Sequence, residues 1–140
     1  MSNIVVLYWS GSGNTEKMAQ LIAEGASATC KHVAEATPDE LQKFSLVTFG
    51  SPALGDEGID ETELAPFIAS ASAALQGKTI ALFGSYGWGN GEWLRLWGEE
   101  LSKSGCRVLP DRLAIREAPE GDDVAKCIDF GKALAKIAQQ

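Results

Sequence analysis

The sequence has a single histidine, His32, and three cysteines, Cys30, Cys106 and Cys127, with no CxxC pair among them. So little imidazole argues against a histidine-based metal site, and His32 reads as a solvated or strand-edge residue. The cysteines read as small apolar residues buried in a reducing compartment. No apolar run approaches the ~18 to 20 residues of a membrane span. No basic segment followed by a small-residue cleavage site precedes the first strand-like run, so the expectation is a cytoplasmic protein with no membrane partner. Basic residues are outnumbered: 12 Lys and Arg against 19 Asp and Glu give a net charge of −7. Such a chain repels nucleic acid and anionic lipid, and its acidic surface can steer basic partners. Repeats, low-complexity tracts and linkers are also missing. At 140 residues, the expectation is one domain spanning 1–140.

What is present is concentrated in Val6-Leu7-Tyr8-Trp9-Ser10-Gly11-Ser12-Gly13-Asn14-Thr15-Glu16. An apolar run stops at a loop of hydroxyls, glycines and an amide, and helical periodicity begins at once. Ser10, Ser12 and Thr15 offer hydroxyl donors, Gly11 and Gly13 let the backbone turn, and a helix start at Asn14 adds free N–H groups and the positive end of its dipole. The pattern predicts a phosphate seat. The loop holds no Lys or Arg, so the phosphate must be held by neutral donors. Neither Walker A nor G-x-G-x-x-G spacing is met, since no Gly-Lys-Ser/Thr follows and Glu16 stands where the third Gly belongs.

Continuous apolar runs at 4–8, 46–50 and 79–83 predict strands buried on both faces. Residues 32–36 give a weaker second strand, and 107–113 a fifth, interrupted by Pro110. Helical spacing is predicted over 14–26, from Leu64 to Leu75, through Trp93, Leu94, Trp97 and Leu101, and from Val124 to Leu134; Pro38 opens a short helical turn. Trp93 and Trp97, at i and i+4, are read as core. Alternating strands and helices imply an open α/β sheet with helices on both faces. Long Gly-rich loops follow the first, third and fourth strands, so they meet at the carboxyl edge, where ligands of such sheets bind.

The loop after the fourth strand, Gly84-Ser85-Tyr86-Gly87-Trp88-Gly89-Asn90-Gly91, places a Trp among glycines. Its π face suits stacking on a planar ligand, and Ser85 can add a hydroxyl to the phosphate. The loop after the third strand brings Ala53, Leu54, Gly55, Asp56 and Glu57, with Asp60, Glu61 and Glu63 behind them. Leu54 can cover the other face of a flat ring, and Gly55 allows the peptide to reorient. A neutral cradle, an aromatic plate and an acidic wall fit flavin mononucleotide.

The segments Tyr8–Glu16, Ala53–Glu57 and Leu82–Gly89 resemble the three FMN loops of short-chain bacterial flavodoxins, the clostridial type above all. The similarity runs over nearly the whole chain. It implies a flavodoxin-like doubly wound sheet of five parallel strands in the order 2-1-3-4-5, with FMN at the switch between strands 1 and 3. It further implies that Ser10, Gly11, Ser12, Gly13, Asn14 and Thr15 hold the phosphate with help from Ser85, and that Trp88 stacks on the isoalloxazine. In the same pattern Glu57 accepts from the ring N3–H, and the Gly55 carbonyl turns to accept from N5–H in the neutral semiquinone. Ala53, Leu54, Asp56, Gly84, Tyr86, Gly87 and Gly89 complete the expected contacts. Two departures from the pattern stand out: Leu54 takes the place where relatives often carry Met, and Arg116-Glu117 occupies the fifth-strand loop, where an amide side chain is common.

The implied activity is that of a monomeric, low-potential one-electron carrier shuttling between semiquinone and hydroquinone. Its partners would be redox proteins with basic docking surfaces, namely ferredoxin/flavodoxin reductase-like donors and low-potential oxidoreductase acceptors, docked through Asp56, Glu57, Asp60 and Glu61. The alternative is an FMN-dependent NAD(P)H or quinone reductase on the same fold. A receiver domain is disfavoured, because Tyr8-Trp9-Ser10 and Ser51-Pro52 supply no acidic phosphoacceptor pocket.

Overall fold

The computed structural model describes residues 3–54, 58–87 and 91–139. Five-residue β1 (Ile4–Tyr8) and β3 (Leu46–Gly50) are buried along their whole length, as continuous apolar runs require in a parallel sheet. Between them lie α1 (Asn14–Ala26), β2 (Thr29–His32) and two 3-10 turns, Val33–Glu35 and Pro38–Lys43. Next come α2 (Leu64–Ser70), α3 (Ser72–Leu75), β4 (Thr79–Tyr86), α4 (Glu92–Lys103), β5 (Arg107–Val108), β6 (Leu113–Arg116) and α5 (Asp122–Ala138). The sheet order is β2-β1-β3-β4-β5, with β6 also pairing with β4, and every pairing is parallel. This is the expected 2-1-3-4-5 order, its fifth place filled by β5 and β6.

Alternation along the strands divides the core in two. Val5, Leu7, Val47, Phe49, Ile80 and Leu82 face α2, α3 and α4, where Trp93 and Trp97 are buried as expected. Ile4, Val6, Tyr8, Leu46, Ala81 and Phe83 face α1 and α5. On that side the helices meet backbone to backbone: a Cβ on Gly131 would lie 2.0 Å from the Ile22 carbonyl oxygen.

Four elements differ from their sequence reading. The second strand is Thr29–His32 and not 32–36, because the His32 ring Nδ1 accepts from Ala34 N–H at 3.0 Å and turns the chain into a 3-10 helix. The helix predicted from Leu64 to Leu75 is interrupted at Ala71. Strand β4 continues to Tyr86, so Gly84, Ser85 and Tyr86 are strand residues and not loop residues. β6 pairs Phe83–Tyr86 with Leu113–Arg116 and extends the ladder beyond the apolar run. Pro110, which lacks an N–H donor, lies in the gap between β5 and β6; Arg116 consequently ends a strand and is not in a loop.

Candidate functional site

The carboxyl ends of β1, β3 and β4 open onto a cleft of about 330 Å³. Its walls include Gly11, Ser12 and Asn14 from the first loop, Ala53 and Leu54 from the second, and Ser85, Tyr86 and Gly87 from β4 and beyond. The size lies at the small end of the range for ligand pockets. Of the seventeen residues expected at the site, these eight line it together. Gly55, Asp56, Glu57, Trp88 and Gly89 lie outside the described residues.

The remaining four stand one layer back. Ser10 Oγ accepts from the N–H groups of Gly13, at 3.0 Å, and Glu16, at 3.3 Å, so this hydroxyl oxygen shapes the loop while its O–H remains able to donate. Gly13 precedes α1 with φ of +98°. Thr15 Oγ1 and Ser85 Oγ lie 3.0 Å apart, both buried. One O–H satisfies the other oxygen, and the second proton is left for another acceptor. Ser85 lines the cleft and Thr15 does not, so Thr15 acts on the cleft through Ser85. Gly84 seats β4 against the second loop: a Cβ there would lie 2.0 Å from the Ser51 carbonyl oxygen. Ala53 N–H donates to Ser85 O at 3.0 Å across the same junction.

The N–H groups of the first turn of α1 face back toward this loop, that of Glu16 being taken by Ser10 Oγ. Glu16, on that turn, accepts from the Tyr8 hydroxyl at 3.1 Å. Burial, together with that carboxylate, pushes the Tyr8 phenol up to about 12, so it stays protonated as a donor.

The second loop is pinned at its neck. Leu54 and Gly58 exchange N–H···O bonds of 2.8 Å in both directions. Asp60 then caps α2. Its carboxylate accepts from Glu63 N–H at 2.7 Å, Leu64 N–H at 2.9 Å and the Thr62 hydroxyl at 2.7 Å. Burial raises its pKa, but these donors outweigh burial and hold the carboxyl below its ordinary value. Asp60 is 3% exposed, which corrects its expected role as a docking acid: the carboxylate is committed to the helix start.

Three cleft residues fall outside the expected set: Trp9, Pro52 and Glu117. Trp9 packs against the α2–α4 side of the core and donates its indole N–H to Glu63 Oε1 at 3.0 Å. Its position directly after a buried run was a signal for it, since an amphipathic ring at a strand exit reaches the edge. Glu117 adopts φ of +59°, and its N–H donates to Tyr86 O at 2.8 Å. No local sequence rule marks a Glu for the left-handed region.

A model of the flavodoxin family matches residues 6–131. The chain is 42% identical over 137 residues to a flavodoxin of Clostridium beijerinckii, covering 94% of this chain and 99% of that one. The chain belongs to the flavodoxin family. A flavodoxin of Megasphaera elsdenii is 34% identical over 138 residues, covering 95% of this chain and 98% of its own length. The solved structure of that flavodoxin in its two-electron reduced state superposes with a TM-score of 0.84 at 33% identity, over 95% of this chain and 98% of that one. A flavodoxin structure from the domain Archaea gives 0.86 at 27% identity, over 98% and 99%. Flavodoxins are FMN-binding electron-transfer proteins and not enzymes, and so is this chain. The cleft fits the cofactor chemically. Its donors are hydroxyls, an amide side chain and helix N–H groups, which suit a phosphate, while Ala53 and Leu54 add apolar surface for a ring.

Proposed function

We propose that the chain, as one domain over 1–140, is a low-potential one-electron carrier working in the cytoplasm, cycling FMN between semiquinone and hydroquinone. The observation that carries this reading is the cation-free cradle where β1 meets α1. Ser12 and Asn14 would hold the phosphate directly, with Gly11 and Gly13 shaping the turn. Ser10 and Ser85 would each donate their remaining proton, and Thr15 would orient Ser85. Bound FMN supplies the electron-accepting ring. A phosphate held by neutral donors keeps its negative charge near that ring, and this disfavours adding further negative charge.

Ala53, Leu54, Gly84, Tyr86 and Gly87 would flank the ring. For Gly55, Asp56, Glu57, Trp88 and Gly89 the assignment rests on the sequence resemblance: Trp88 stacking, Glu57 accepting from N3–H, and the Gly55 carbonyl accepting from N5–H. The partners would be basic redox proteins, donors resembling ferredoxin/flavodoxin reductases and low-potential acceptors. The acids available to them among the described residues include exposed Glu61, Glu117 and Glu120. Three unpaired thiols, Cys30, Cys106 and Cys127, suit a reducing compartment.

Two measurements test the reading. Apoprotein titrated with FMN and with riboflavin should favour FMN by at least about 10-fold, since hydrogen bonds to a charged group contribute about 1.5–3 kcal/mol each. Equal affinities would remove the phosphate cradle. Holoprotein mixed anaerobically with NAD(P)H alone should stay oxidised; rapid bleaching would favour the reductase alternative.

A further inference from the structure

We propose that Trp9 and Glu63 form a latch that positions the phosphate loop against the β3–α2 loop, making both positioning residues for FMN. The inference rests on the FMN site proposed above and adds to it two residues that contribute no donor to the phosphate. Trp9 leaves β1 with its backbone N–H donating to Gly50 O at 3.1 Å. Its ring then runs along the cleft wall beneath the loop: a Cβ on Gly11 would lie 3.1 Å from Trp9 Cη2, so Gly11 rests on the indole. The five-membered ring of the same indole donates Nε1–H to Glu63 Oε1 at 3.0 Å, across 54 residues of sequence.

Glu63 has an exposed side chain on an anchored backbone. Its own N–H is held by the Asp60 carboxylate at 2.7 Å, and Asp60 is buried. Among the described residues, no other side-chain hydrogen bond joins residues 9–14 to residues 51–63. A bond from a neutral donor to a carboxylate is stronger than a neutral pair. It fixes the spacing between the loop that takes a phosphate and the loop that flanks a ring. Such preorganisation favours a ligand that fills both places, and it does little for a ligand that fills only one. FMN fills both, whereas riboflavin, without the phosphate, fills one.

The test is a titration of apoproteins with FMN and with riboflavin, followed by quenching of flavin fluorescence, with circular dichroism and thermal melts run on every variant. Trp9→Phe and Glu63→Ala should each weaken FMN about 5- to 10-fold and leave riboflavin within about twofold. Glu63→Gln should fall between wild type and Glu63→Ala in FMN affinity, because its amide oxygen still accepts from the indole but in a weaker neutral pair. The double variant Trp9→Phe/Glu63→Ala should be no worse than the weaker single variant. The latch is overturned if the single variants bind FMN normally, if both flavins weaken alike, or if Glu63→Gln is as impaired as Glu63→Ala, which would show that charge matters and the hydrogen bond does not. Should Trp9→Phe unfold, the Glu63 pair alone decides the question. Wild-type apoprotein that binds no FMN would sink the site itself, and the latch with it.

Discussion

The loops at residues 10–15 and 51–60 leave neighbouring strands at the same end of the sheet, yet they are held by opposite means. In the first, side chains do the holding: Ser10 gathers two loop N–H groups, and Thr15 is locked to the Ser85 hydroxyl. In the second, backbone holds backbone at the Leu54–Gly58 neck, and one buried carboxylate fixes the helix start behind it. The difference separates hydroxyls and acids that face a ligand from those that build its seat. Ser12 is exposed beside the cleft, whereas Thr15 and Asp60 are buried and engaged.

Asp60→Ala gives the largest expected effect. It orphans two N–H groups and a hydroxyl, and should destabilise the fold by about 2–3 kcal/mol in urea unfolding. A loss under about 0.5 kcal/mol would return Asp60 to the surface acids. The pH dependence follows. The folded-state pKa of Asp60 lies below its unfolded value, so its stabilisation is present above the unfolded pKa and is lost as pH falls through the folded one. Asp60→Asn should flatten that acid limb.

The same substitution at two threonines sharpens the contrast further. Thr15→Val removes half of a satisfied buried pair and should cost about 1–2 kcal/mol. Thr48, in the middle of β3, is buried with no hydrogen-bond partner for its hydroxyl among the described residues. Thr48→Val should therefore stabilise by about 1 kcal/mol, read by thermal and urea melts of the two variants side by side. Opposite signs support the distinction, and equal losses refute it. Ser12→Ala should change stability by less than about 0.5 kcal/mol. It should nevertheless weaken FMN about tenfold, or about 1.4 kcal/mol, while an unaltered FMN affinity would move the phosphate away from Ser12.

The buried runs of β1 and β3 and the helical period of α1 were legible because burial on both faces and a period of 3.6 leave direct marks in sequence. The hydroxyl-rich loop was legible as a phosphate seat for the same local reason. What each hydroxyl does was not. Thr15 and Ser85 are 70 residues apart, and only the β1-β3-β4 register brings them together. The length of β4 was hidden because Gly84, Ser85 and Tyr86 have turn-like composition, and their pairing with β6 overrides it. Asp60 looked like one of several surface acids, since sequence spacing does not reveal which carboxylate turns inward to cap a helix.

The most direct test of the carrier reading is an anaerobic reductive titration of the FMN-loaded protein with its visible spectrum recorded throughout. The expected result is a long-wavelength absorbance band, that of a neutral one-electron form, which rises to the midpoint and falls as reduction is completed. Bleaching straight from the oxidised to the fully reduced spectrum, with no such band, would contradict it.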